Sequence, residues 1–189
     1  MPKKIVQKEA PILREIAREV PIETITSPKI QKILKEMRDA LASQDDGVAI
    51  AAPQIGVQLR IFIVSHKVAF LQKKSKLDGE PELGLDNDNK QSDTGDLIFI
   101  NPNIKKISKQ RKTVEEGCLS VRYLYGRVSR ANKATIEAYD EYGKKITRGA
   151  SGLLAQIFQH EIDHLNGILF IDKAKYVEEI LPETATNAM

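Results

Sequence analysis

The segment His160-Glu161-Ile162-Asp163-His164 constrains this chain more than any other stretch. Two histidines four residues apart lie on one face of an α-helix, a turn above one another, so their rings converge only if the segment is helical. Leu153 and Ile157 continue the same stripe upstream, at steps of four, three and four residues from Leu153 to His164. Ser151 stands where an N-cap would, and Asn166-Gly167 supplies a stop, which predicts a helix over 152–165. An otherwise aliphatic stripe faces a core, so the imidazoles are carried inward with it. Paired imidazoles at this spacing suit a metal ion. Glu161 is offset by one residue, which keeps its carboxylate off the metal but within reach of a water beside it, where a general base belongs.

A catalytic site of this kind takes three protein ligands and leaves one position open, so a third donor is needed. The extended metalloprotease pattern would put a histidine at position 170, where this chain has Phe170. A second arrangement borrows a glutamate from a following helix, and Glu178, Glu179 and Glu183 are the residues it could use. The chain ends at Met189, which leaves little for the lower lobe that such peptidases carry. Cys118 and His66 are the other candidates. Cys118 follows Glu116-Gly117, where glycine lets the backbone pass close to another group and present the sulfur at a strand end. A lone cysteine is most often a small buried hydrophobe, but the paired histidines change that reading here. His66 follows the apolar run Ile61 to Val64 at the edge of a polar stretch and reads as an exposed histidine.

The rest of the chain reads as one domain over 1–189. Ser27-Pro28 opens a helix whose Ile30, Ile33, Leu34, Met37 and Leu41 recur at helical spacing to about Ser43. Arg60 to Val64 and Leu97 to Ile100 read as buried strands. Ala134 to Tyr139 and Lys145 to Arg148 form a hairpin around Asp140-Glu141-Tyr142-Gly143. Residues 72–96 hold only Leu77, Leu83 and Leu85 as large aliphatics and read as an exposed loop insertion. Within it, Asp86-Asn87-Asp88-Asn89 lacks the glycine of a calcium loop, and Asp93-Thr94-Gly95 reads as a turn. With 29 basic and 26 acidic residues interspersed, no basic block marks a nucleic-acid surface. No apolar run has the length of a signal peptide or a membrane span, so a cytoplasmic protein is expected. The single cysteine excludes an internal disulfide.

Glu116-Gly117-Cys118-Leu119-Ser120 and Gln159-His160-Glu161-Ile162-Asp163-His164 resemble two motifs of the peptide deformylase family, and Gly47-Val48-Ala49-Ile50-Ala51-Ala52-Pro53-Gln54 is similar to the motif that precedes them. The resemblance runs from Gly47 to Phe170. It departs at Ala49, where the family usually has a second glycine, and after Val121, where Arg122-Tyr123 replaces a frequent proline and glycine. It implies an α+β fold in which the metal-binding H-E-x-x-H helix packs centrally among antiparallel β-sheets, with the N-terminal helix outside.

The implied activity is removal of the N-formyl group from the N-terminal formylmethionine of nascent proteins, releasing formate. Cys118, His160 and His164 would hold one divalent metal. Fe(II) is favoured by the resemblance, whereas sulfur and imidazole ligands alone also admit Zn, Ni or Co. Glu161 would move the proton, and the Gln54 side chain and Leu119 backbone N–H would donate to the oxyanion. Leu153, Gln156 and Ile157, with Ile50 as a neighbour, would line a slot for methionine. The peptide would pair as an added strand along Gly47, Ala49 and Ile50, and Glu116 and Gly117 would complete the binding wall. The expected partners are formylmethionyl nascent chains with a transient ribosome contact, in a bacterial cytoplasm or as a mature organellar form, without nucleic-acid or membrane binding. Two rival readings are a small zinc peptidase using a downstream glutamate and a non-enzyme with a closed structural metal site.

Overall fold

The computed structural model describes residues 1–68 and 95–181. The insertion expected at 72–96 lies outside these residues except for Gly95 and Asp96, as does Glu183. Helix α1 spans Pro28–Ala42, with Ser27 Oγ accepting from the Ile30 N–H and proline at the first turn. Of the residues the spacing picks out, Ile30, Leu34, Met37 and Leu41 are buried and Ile33 is half-buried, while Ala40 joins the buried face. Helix α2 spans Gly152–Leu165. Ser151 occupies its N-cap position without a side-chain hydrogen bond, which corrects the expected capping role. Gly167 ends it at φ 72°, and a Cβ there would sit 2.6 Å from the Arg14 carbonyl oxygen.

Five strands form an antiparallel sheet in the order β1 (Ala49–Ala51), β2 (Ile61–Val64), β3 (Leu97–Ile107), β6 (Lys133–Tyr139) and β7 (Lys145–Ser151). The helices cover its two faces, which is why β2 can be apolar at every position. Phe62 and Val64 pack with Phe158, Ile162 and Leu165 of α2, whereas Ile61 and Ile63 pack with Leu34 and Met37 of α1. Alternation in β1 follows the same rule: Ala49 and Ala51 lie on the α2 side and Ile50 on the α1 side. Strand β3 continues seven residues beyond the expected Ile100, through Asn101 to Ile107. Two register shifts against β6 break its alternation, and its last five residues are exposed, so the apolar signal stops early.

The second sheet runs β4 (Arg111–Cys118), β5 (Val121–Ala131) and β8 (Lys175–Glu179), all antiparallel. Its β4–β5 pairing contains a large bulge. Glu116 pairs with Gly126 and Cys118 with Val121, so Gly117 alone faces residues 122–125. The Tyr125 ring lies over Gly117, where a Cβ would stand 2.8 Å from Tyr125 Cε1. Helix α2 contacts β1, β2, β5, β6 and β7 and so runs between the two sheets. No helix among the described residues is long and apolar enough to cross a membrane.

Candidate active site

Three elements deliver the polar side chains that meet beside α2. Strand β4 ends on Cys118, α2 carries His160, Glu161 and His164, and the 3-10 helix Ala52–Ile55 carries Gln54. The Cys118 sulfur and one nitrogen from each histidine lie within 4.8 Å of one another. Cys118 Sγ is 3.1 Å from His164 Nε2 and accepts from the Ser120 N–H at 3.4 Å. The Gln54 amide is held at both ends. Its Oε1 accepts from the Ala51 N–H at 2.8 Å, which turns Nε2 toward Ser120 Oγ at 3.1 Å and Cys118 Sγ at 3.5 Å.

A buried charge network sets the orientation of His160. Its Nδ1 lies 3.0 Å from Glu116 Oε2. An ionised carboxylate can only accept, so Nδ1 carries the proton and Nε2 is left for a metal. Arg130 donates to both Glu116 oxygens, at 2.7 and 2.8 Å, and to Asp163 Oδ2 at 2.6 Å. Lys173 reaches the other Asp163 oxygen at 2.6 Å. Burial opposes the charge on Glu116, but hydrogen bonds from Arg130 and His160 outweigh it and hold its carboxyl down to about 2.

The electrostatics favour a cation at the centre. Burial would raise the Cys118 thiol, yet the adjacent His164 and His160 bring it down to about 5, in the range of a metal-ready thiolate. His160 is raised above the usual imidazole range: burial works against its charge, and Cys118 and Glu116 prevail. Glu161 is 3% exposed, and burial pushes its carboxyl up to about 7 against the opposing influence of both histidines. Its Oε2 and the His164 Nδ1 are buried without a hydrogen-bond partner among the described residues. A sulfur and two imidazoles converging beside an uncommitted carboxylate fit a divalent metal and a water next to it.

A cavity of about 300 Å³ opens onto this group. Gly47, Ala49, Glu116, Gly117, Cys118, Leu119, Leu153, Gln156, Ile157, His160 and Glu161 border it, whereas Gln54 and His164 lie behind Cys118 and do not. Ile50 does not: its side chain is fully buried on the α1 face, because strand alternation turns it away from α2. Gln156 is tied at the wall, its Nε2 donating to the Glu115 carbonyl at 2.9 Å. His66 stands apart from the sulfur–imidazole group, paired with Asp96 Oδ1 at 3.0 Å. Glu178 and Glu179 lie exposed on β8, and Phe170 stacks on the His160 ring at 6.3 Å.

Ala49 is not among the described residues with positive φ; those without glycine are Asn101, Tyr123 and Tyr176. Its methyl therefore narrows the cavity wall without straining the backbone. Ala49→Gly is expected to lower unfolding stability by no more than about 1 kcal/mol, the cost of glycine's extra freedom in a strand. Urea titration checks this, and a gain of that size would reveal strain at Ala49.

Sequence reasoning missed Arg130, Asp163 and Lys173, and assigned Glu116 only to the binding wall. The inward alternation of Gly126, Val128 and Arg130 on β5 was the available signal: an arginine at a buried position requires an acidic partner. The left-handed Tyr123 was missed as well. Its conformation arises within the bulge, which depends on the register of two strands.

Comparison with known proteins shows similarity to one family over most of the chain. The family model described as polypeptide deformylase matches residues 2–179. The peptide deformylase of Carboxydothermus hydrogenoformans is 43% identical, over 90% of this chain and 92% of its own length. The solved structure of a peptide deformylase from Legionella pneumophila superposes with a TM-score of 0.72 at 33% identity, covering 93% of this chain and 88% of that one. A Met-Ala-Ser-bound class I type b peptide deformylase from Acinetobacter baumannii gives a TM-score of 0.73 at 28% identity, over 92% and 98% of the two chains.

Proposed function

The chain belongs to the polypeptide deformylase family, metal-dependent hydrolases that remove the N-formyl group from nascent peptides, and from that premise we propose the residues that carry the reaction in this enzyme. Cys118, His160 and His164 are the metal ligands, Glu161 is the general base, and Gln54 and Leu119 donate to the oxyanion. The convergence of one sulfur and two imidazole nitrogens within 4.8 Å, next to the uncommitted Glu161 carboxylate, carries this assignment. When bound, the metal supplies a Lewis acid that draws the pKa of a water toward about 7 and polarises the formyl oxygen.

The side chains divide the remaining work. Glu161 accepts the proton of the attacking water and returns it to the amine of methionine as the bond to the formyl carbon breaks. Gln54, with Oε1 committed to Ala51 and one N–H to Ser120, would turn the N–H now directed at Cys118 to the oxygen on which charge develops. The Leu119 backbone N–H donates from the turn after Cys118. Glu116 and Arg130 keep the His160 ring in one tautomer and orientation, and formate and a free methionyl terminus leave.

Methionine enters between Leu153, Gln156 and Ile157, and the following peptide runs along Gly47 to Ala49. That a structurally similar deformylase, from Acinetobacter baumannii, binds Met-Ala-Ser supports a peptide beginning with methionine as the occupant. The resident metal is Fe(II), with zinc, nickel or cobalt as substitutes in a purified sample. The chain works as a single domain, in a bacterial cytoplasm or as a mature organellar form, on formylated chains as they emerge and through transient ribosome contact.

A parallel assay on formyl-Met-Ala-Ser and acetyl-Met-Ala-Ser tests the reading against a peptidase. Formate from the first, negligible acetate from the second and intact peptide bonds in both are expected, because a close-walled site excludes the extra methyl. Peptide fragments without formate would sink the assignment.

A further inference from the structure

The segment 122–125 forms one wall of the cavity and is also the bulge that faces Gly117 alone. At its centre Tyr123 has φ 66°, a conformation that a bulky side chain adopts only at a cost. Three neighbours hold it there. The Ile180 N–H donates to the Tyr123 carbonyl at 2.8 Å, β8 pairs with Leu124 and Tyr125, and Arg122 reaches across to Asp46 Oδ2 at 2.7 Å and to Gln44. Asp46, Gly47 and Arg122 all border the cavity, so this last contact ties the bulge to the segment that leads into β1.

All of that bracing ends on a side chain that is itself poorly buried. Tyr123 borders the cavity and is 44% exposed, so core packing does not account for a tyrosine in a left-handed position. Glycine would take the same φ without strain. Bulges beside active sites re-aim side chains, and an aromatic ring fixed at a cavity rim offers a flat apolar face to a ligand.

We propose that Tyr123 is a specificity-determining residue, its ring forming the outer wall against the side chain that follows methionine and favouring aromatic residues there. The proposal rests on the cavity being the formylmethionyl site. The braced backbone fixes where the ring is rooted, and a tyrosine has only two side-chain torsions to lose on contact, so its apolar area adds to affinity at small entropic cost.

The test compares kcat/KM for formyl-Met-Phe-Ser and formyl-Met-Gly-Ser in the metal-loaded enzyme and in Tyr123→Phe, Tyr123→Gly and Tyr123→Asn, with melting temperatures. The wild type should prefer the phenylalanine peptide by roughly 3- to 10-fold, the range of an aromatic pair beyond simple burial. Tyr123→Phe should keep that ratio. Tyr123→Gly and Tyr123→Asn, both at ease in the left-handed region, should bring it close to one through a rise in KM for the phenylalanine peptide, with melting temperature equal or higher. A ratio that survives both substitutions overturns the proposal, as does an equal loss on both peptides with a lower melting temperature, which would mark a purely structural tyrosine. Absence of formate from every peptide with the wild-type enzyme would instead strike the function of the cavity, and this proposal with it.

Discussion

Cys118→Ala is expected to lose most of its bound metal and to release formate more than about 100-fold more slowly than the parent enzyme. Even an outer-shell partner of a metal ligand typically changes affinity or activity by about 10- to 100-fold, and removing a ligand removes more. The change should leave the fold recognisable, because the sulfur stands at the end of β4 and the pairing from Arg111 to Glu116 does not depend on it. Metal content per chain, read by elemental analysis after loading with Fe(II) or Ni, is the primary measurement. His66→Ala is the control: its imidazole lies with Asp96, apart from the sulfur–imidazole group, and should keep metal and turnover. If Cys118→Ala held one metal per chain at parental turnover, the ligand set would be wrong.

What the sequence discloses about this fold depends on how local the cause is. Helix α2 begins at Gly152 and ends at Leu165, as its stripe and Asn166-Gly167 stop predict, because spacing and termination signals are written within the helix itself. The hairpin around Gly143 is equally local, with Asp140 Oδ1 accepting from the N–H groups of Tyr142 and Lys144. Ile50 shows the next level. Its apolar character marks a buried strand, but only the pairing of Ala49 with Val64 and Ile50 with Ile63 decides which helix each side chain meets.

The two departures from the family motifs show the same limit. A glycine-to-alanine difference at position 49 invites a search for positive φ there, yet that conformation lies at Tyr123. The reason is the register: a chain that places four residues opposite Gly117 must turn sharply within them, and neither strand's own pattern states how the other is paired. Arg130 is legible only once β5 is known to turn that position inward, where Glu116 and Asp163 compensate its charge.

Glu161→Gln separates catalysis from metal holding within this framework. Glu161 lies one residue from His160 on α2 and is buried with an oxygen that no donor among the described residues satisfies, whereas His160 is already fixed by Glu116. An amide is nearly the same size, so helix packing and the sulfur–imidazole group should persist, with melting temperature and metal content close to the parent. The amide cannot accept a proton from the attacking water, and formate release from formyl-Met-Ala-Ser should fall by about 100-fold or more, the scale of a lost general base. Because the block lies in proton transfer rather than binding, the loss should appear in kcat with KM little changed. A protein whose metal merely held the fold would have no such activity to lose, and a peptidase would lose peptide-bond cleavage instead. Full turnover in Glu161→Gln with one metal per chain would remove the base from the mechanism while sparing the ligand set, and loss of metal together with activity would place Glu161 among the ligands.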